Sequence, residues 1–105
     1  MNIQFDPEVD ALYLQLSGGE VVDSETIEPD VVYDYDVQNQ IVGVELLRVK
    51  PNLANLAVKA IPFQSFDQQL EFLSFLENIA DADLRAKLAF ARQILQNQQA
   101  FLQSA

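Results

Sequence analysis

The chain has no cysteine and no histidine. Without cysteine there is neither a disulfide framework nor a thiolate metal site. Without histidine, the commonest general base, the commonest zinc ligand and the usual pH switch are missing together. Ser17, Ser24, Ser65, Ser74 and Ser104 therefore have no imidazole to activate them. No apolar run approaches the roughly 18 residues that a membrane span needs. The opening MNIQFDPEVD is acidic and alternating, unlike the basic-then-apolar order of a signal peptide. These absences predict a soluble cytoplasmic protein, no cofactor and no metal.

Positive charge is also missing from the first part of the chain. Residues 1–47 hold 11 Asp/Glu and no Lys/Arg, whereas residues 48–105 hold 5 acids and 6 bases, within a total of −10. A half this acidic disfavours direct nucleic-acid binding, which rests on neutralising phosphates. It favours a basic protein or a cation. Acidic surfaces also serve solubility alone, and that is the plainer explanation.

The 105 residues suggest a single domain, with a β part at 1–50, a connector at 51–64 and a helical pair at 65–105. The clearest pattern is VVYDYDVQNQIVGVELL, Val31 to Leu47, which reads as a β-hairpin by its period-2 alternation. Pairing its arms around Gln38-Asn39 sets Tyr35 opposite Val42, Tyr33 opposite Val44 and Val31 opposite Leu46. One face is then apolar, and the other carries Asp36, Asp34 and Glu45. Burial selects this register, because a one-residue slip would mix the faces. Upstream, Asn2 to Phe5 and Ala11 to Leu16 read as strands joined by an Asp6-Pro7-Glu8 turn, and Val21 to Ile27 as another. A three-residue loop from Gly18 to Glu20, with a glycine in the left-handed bulge position, would set Leu16 against Val22 and Leu14 against Ser24.

A Pro29-Asp30 turn then pairs Thr26 with Tyr33 and Ser24 with Tyr35. The same register puts Glu25 opposite Asp34 and Asp23 opposite Asp36 on the outward face. Facing side chains on neighbouring strands lie about 4.5–5.5 Å apart, so each acid pair would cost of order 0.8 kcal/mol in water-like surroundings. One buried leucine, contributing about 1.5–3 kcal/mol, outweighs that. Such a cluster is still not what stability alone would select. Asp23, Glu25, Asp34 and Asp36 are accordingly the candidate partner-binding residues.

Beyond Arg48, Pro51-Asn52 opens a short helical turn through Leu56, and Ala57 to Ile61 reads as a further strand. Ser65-Phe66-Asp67-Gln68 is a capping box for a helix running to about Ile79. Asp81 is the N-cap of a last helix from about Ala82 to Gln103. Each helix has two apolar stripes: Phe66, Leu70, Leu73, Leu76 with Phe72, Phe75, Ile79 in the first, and Leu84, Leu88, Ala91, Leu95, Leu102 with Phe90, Ile94, Phe101 in the second. A helix apolar on more than one side is buried on more than one side. This predicts a homo-oligomer, or else a monomer with deeply packed helices.

Motifs that would carry chemistry are weak. Asp34 to Glu45 mimics a calcium loop at its first, third and twelfth positions, but Gln38 and Asn39 stand where Asp/Asn and Gly belong, and strands flank it instead of helices. Paired carboxylates perform acid–base work in concave sites, whereas these lie on an open sheet face. Gly18-Gly19 has no following helix or lysine and is no phosphate loop. No catalytic residue is expected.

The stretches FDPEVDALYLQLSGGEV, EPDVVYDYD and IVGVELL resemble a bacterial family, domain of unknown function (DUF) 2283, over about residues 2–50. The shared features are Asp6-Pro7, Asp10 to Tyr13, Tyr33 to Asp36 and Val42 to Glu45. The family usually has Asp-Gly at the hairpin tip, where this chain has Gln38-Asn39, and the resemblance stops before the helical tail. It implies a fold but no activity or site residue. Some family members look like partners of small toxin proteins encoded beside them.

The expected fold is α+β: an antiparallel β-meander of four or five strands followed by two C-terminal α-helices. The expected function is that of a non-enzymatic interaction module binding a basic partner protein through its acidic sheet face, in one version as an antitoxin-like mimic of RNA charge. The alternative is a structural or regulatory homo-oligomer assembled through the helices.

Overall fold

The computed structural model describes residues 1–56 and 59–104, with side chains through residue 98. Five strands form one antiparallel sheet: β1 (Asn2–Asp6), β2 (Ala11–Gln15), β3 (Asp23–Glu28), β4 (Val31–Tyr35) and β5 (Ile41–Leu46). Helices α1 (Leu53–Leu56), α2 (Phe66–Ile79) and α3 (Ala82–Ser104) follow, so the chain is α+β. Of the strand expected at Ala57 to Ile61, Ala57 and Val58 lie outside the described residues, and Lys59 to Ile61 are in no strand.

The strand order is β1-β2-β5-β4-β3, which is not a simple meander. β3, β4 and β5 are consecutive neighbours, and β2 lies beside β5, a Greek-key connection. The expected β2–β3 pairing is therefore not made. Composition explains the order. The leucines of β2 need neighbours on both sides to be covered, and β5, with Val44 and Leu46, is their apolar match. The registers Leu12↔Leu46 and Leu14↔Val44 place all four on one face, each at 0% exposure. Polar β3, DSETIE, is exposed at every position and takes the edge, where charge deters unwanted pairing.

Leu16 to Val22 form the crossover. It must pass two strands, about 14 Å at 4.8 Å per step, and seven residues span up to about 23 Å. Its path is tied down by hydrogen bonds from Leu16 N to Val42 O (2.9 Å) and from Val22 N to Tyr35 O (2.9 Å). It runs so close to β5 that a β-carbon on Gly19 would lie 2.9 Å from Val42 Cγ1. No glycine adopts positive φ, so the left-handed glycine expected in a Gly18–Glu20 hairpin is absent. Asp10, Asp30, Asn39 and Arg48 take that conformation instead.

The β4–β5 hairpin pairs Val31 with Leu46 and Tyr33 with Val44, as its alternation predicts. Near the tip a bulge leaves Val42 over, so Tyr35 faces Ile41 and not Val42. The tip is organised by Asp36, whose Oδ1 accepts from the N–H groups of both Gln38 and Gln40 at 2.9 Å.

The helices lie on the leucine face. Phe72, Leu76 and Leu88 join Leu12, Leu14, Val44 and Leu46 in the core. Ser65 caps α2 by accepting from Gln68 N. The Gln68 side chain reaches back to Gln64 N (2.9 Å), and its amide donates to Leu16 O (2.9 Å), fastening the helix start to the sheet. Asp81 caps α3 by accepting from Leu84 N. Arg92 of α3 donates to Glu77 Oε1 (2.9 Å) and Ser74 Oγ (2.6 Å) of α2, clamping the pair. Among the described residues, no helix is long and apolar enough to cross a membrane.

Candidate interaction surface

The four candidate acids do not share a face. The β3–β4 pairing starts at Glu28↔Val31, as a Pro29-Asp30 turn requires, but a bulge at Ile27 shifts the ladder by one residue. Asp23 then faces Tyr35, Glu25 faces Tyr33 and Ser24 faces Asp34. This corrects the expected pairs Glu25–Asp34 and Asp23–Asp36. Asp23, Glu25 and Glu28 stand on the helix side of the sheet edge, Asp34 on the opposite face, and Asp36 in the hairpin tip. The reason is electrostatic. In the regular register two acid–acid pairs would oppose each other, whereas the bulge puts a hydroxyl opposite Asp34: Ser24 Oγ donates to Asp34 Oδ1 at 2.7 Å.

On the helix-free face, Asp34 is also the acceptor for Tyr13 Oη, at 2.9 Å to Oδ2. Tyr13 stands on β2 and reaches it by lying across β5 at Gly43, the position between Gln15 and Asp34 in the ladder. A β-carbon at Gly43 would stand 2.6 Å from Tyr13 Cζ, so only glycine leaves room for the ring. Burial, the hydrogen bond to Asp34 and the nearby charges of Asp34 and Glu45 push the Tyr13 phenol up to about 12. It therefore keeps its proton at neutral pH and donates to Asp34. Asp6, Val9, Tyr13 and Glu45 line a shallow depression beside it.

The residues behind the family resemblance thus have structural work. Asp6 Oδ1 accepts from Glu8 N in the first turn (3.0 Å). Asp10, left-handed at φ 55°, accepts from Val49 N through its carbonyl and from Lys50 N through its carboxylate (3.0 Å). Asp30, at φ 69°, does the same for Leu47 N and the Arg48 guanidinium (2.6 Å). The segment 47–50 after β5 is held between the two hairpin turns. The alternation of the sequence places these acids but not the purpose of Asp10 and Asp30, because their partners lie 17 (Asp30 to Leu47) to 40 (Asp10 to Lys50) residues away.

The exposed surface is concentrated elsewhere. All six residues of β3 are exposed, and among the described residues β3 has no strand on its outer side. Of the seven large apolar side chains exposed among the described residues, three lie on β3 or its lead-in: Val21 (43%), Val22 (57%) and Ile27 (43%). Alongside them run Asp23, Glu25 and Glu28. Among the described residues, one base reaches these three acids: Lys59 pairs with Glu28. Tyr35 Oη contacts Glu25 at 3.5 Å, and partial burial, then the Glu25 charge, raises the Tyr35 phenol above its ordinary value. A second exposed apolar pair, Phe90 (69%) and Ile94 (42%), lies on α3. Phe101 and Leu102, expected on the stripes of this helix, have side chains outside the described residues.

Residues 2–50 match the model of a family described as Protein of unknown function (DUF2283). The match spans the whole five-stranded sheet and the Asp10–Lys50 closure, and it ends before α1. No curated protein and no solved structure matches the chain.

Proposed function

We propose that this DUF2283-type sheet with its added helices is a non-enzymatic interaction module that binds a basic partner protein. The observation carrying the reading is the β3 edge. It combines Asp23, Glu25, Glu28 and exposed Ile27 of β3 with exposed Val21 and Val22 of its lead-in, and among the described residues no helix buries this strand. Acids alone would serve solubility; apolar side chains left exposed among them are what a binding surface needs. The reading moves the contact from the sheet face, where Asp34 is engaged by Tyr13 and Ser24, to the sheet edge. An antitoxin-like partner that masks a basic surface is one version of it.

The test is co-purification from the native host with washes at low and then high salt. A partner held by charge elutes as screening shortens toward about 3 Å at 1 M salt. The variant Asp23→Asn/Glu25→Gln/Glu28→Gln should fail to retain it. Retention by that variant, or resistance to salt, counts against the reading.

A second reading rests on Phe90 and Ile94 of α3. They lie four residues apart on one helix face, where apolar neighbours meet, and suit a homo-oligomer assembled through the helices. Such assembly would resist salt.

A further inference from the structure

We propose that the basic partner is taken up as an extended segment that adds a sixth strand along β3; this rests on the reading above and specifies its mode. An edge strand offers alternate backbone N–H and C=O groups to solvent, a ready template for another chain. β3 is paired with β4 on one side and, among the described residues, open on the other. The opposite edge, β1, is not equivalent. Its Ile3 and Phe5 face the core, Phe75 packs on Phe5 with ring centroids at 5.9 Å, and the preceding Met1 amino group pairs with Glu71 of α2.

The side chains of β3 specify the guest. Asp23 and Glu25 project from one face two residues apart, and Ser24 and Thr26 from the other. A segment with Lys or Arg at every second position would set its charges beside Asp23 and Glu25, and its alternate residues beside Ser24 and Thr26. Val22 at one end and Ile27 at the other offer apolar contact at 57% and 43% exposure. A second copy of this chain is the wrong guest. Antiparallel β3–β3 pairing would bring Asp23 and Glu25 against their own counterparts, which like-charge pairing disfavours. The same acids that exclude self-pairing select a basic strand.

The test uses a ten-residue synthetic peptide of alternating Lys and Thr, titrated against the full chain at low salt. Two further versions carry N-methyl groups on alternate residues, one in each frame. Strand addition predicts binding by the parent peptide, retention by one N-methyl frame and at least a tenfold loss by the other. Glu25→Lys should also weaken the parent at least tenfold, with an unchanged circular-dichroism spectrum because Glu25 is exposed. If both N-methyl frames bind like the parent while Glu25→Lys still abolishes binding, strand addition is wrong and the basic-partner reading survives. Absence of binding, or binding indifferent to Glu25→Lys, overturns both.

Discussion

Tyr13 and Gly43 are locked together across the sheet: a β-carbon on Gly43 would stand 2.6 Å from Tyr13 Cζ, and the ring that fills this space delivers its hydroxyl to Asp34. Gly43→Ala should therefore destabilise the chain by about 1–3 kcal/mol, the usual cost of overpacking. Tyr13→Phe should cost about 1.5 kcal/mol for a hydrogen bond to a charged acceptor. The informative experiment is the double variant: on a Tyr13→Ala background, Gly43→Ala should lose most of its cost. Additive urea-unfolding free energies would show that the ring does not press on Gly43.

Stability should fall at alkaline pH. Tyr13 keeps its proton in the folded chain up to about 12, against 10 for an ordinary tyrosine. Between these values the folded state binds more protons than the unfolded one, so stability declines with rising pH. The contribution is complete below pH 10 and is lost as pH rises through 12. Urea midpoints measured from pH 9 to 12 should show the decline, and Tyr13→Phe should flatten part of it.

The loop after β5 depends on two left-handed aspartates. Asp10→Gly keeps the backbone conformation and loses the carboxylate that accepts from Lys50 N; Asp10→Ala loses both. Left-handed backbone costs a residue with a β-carbon roughly 1–2 kcal/mol, so Asp10→Ala should be the less stable of the two, with Asp10→Asn between wild type and Ala. Equal unfolding midpoints for the Gly and Ala variants would contradict this.

The β3 acids should be separable from folding. Asp23→Asn and Glu25→Gln change exposed side chains outside the core and should shift stability by no more than about 0.5 kcal/mol. Asp34→Asn, which disturbs the acceptor shared by Tyr13 and Ser24, should cost more. A larger loss for the β3 variants in thermal unfolding would mean that they hold the edge strand in place.

Assembly through α3 gives the opposite salt signature. If copies associate there, Phe90→Glu should release monomers, and 1 M salt should not. Light scattering on wild type and Phe90→Glu at two salt concentrations decides it, and a wild type already monomeric at high protein concentration removes the second reading.

The sequence by itself determined the five strands and the two long helices, though not the further strand expected at Ala57 to Ile61. Period-2 runs marked the strands, Ser65 and Asp81 marked the helix starts, and the leucines of β2 declared their buried face, because these signals depend on residues a few positions apart. It also placed 11 of the 16 acids within residues 1–47. Only the tertiary structure decided which strands are neighbours and which way the acids point. β2 left β3 for β5 because covering Leu12 and Leu14 on both sides outweighs the short connection through Gly18-Gly19. One bulged residue, Ile27, turned Glu25 from Asp34 toward Tyr33 and brought Ser24 to Asp34 instead. A bulge reverses every residue beyond it and leaves no mark in the alternation, since its energy lies in contacts that exist only once β3 and β4 have met.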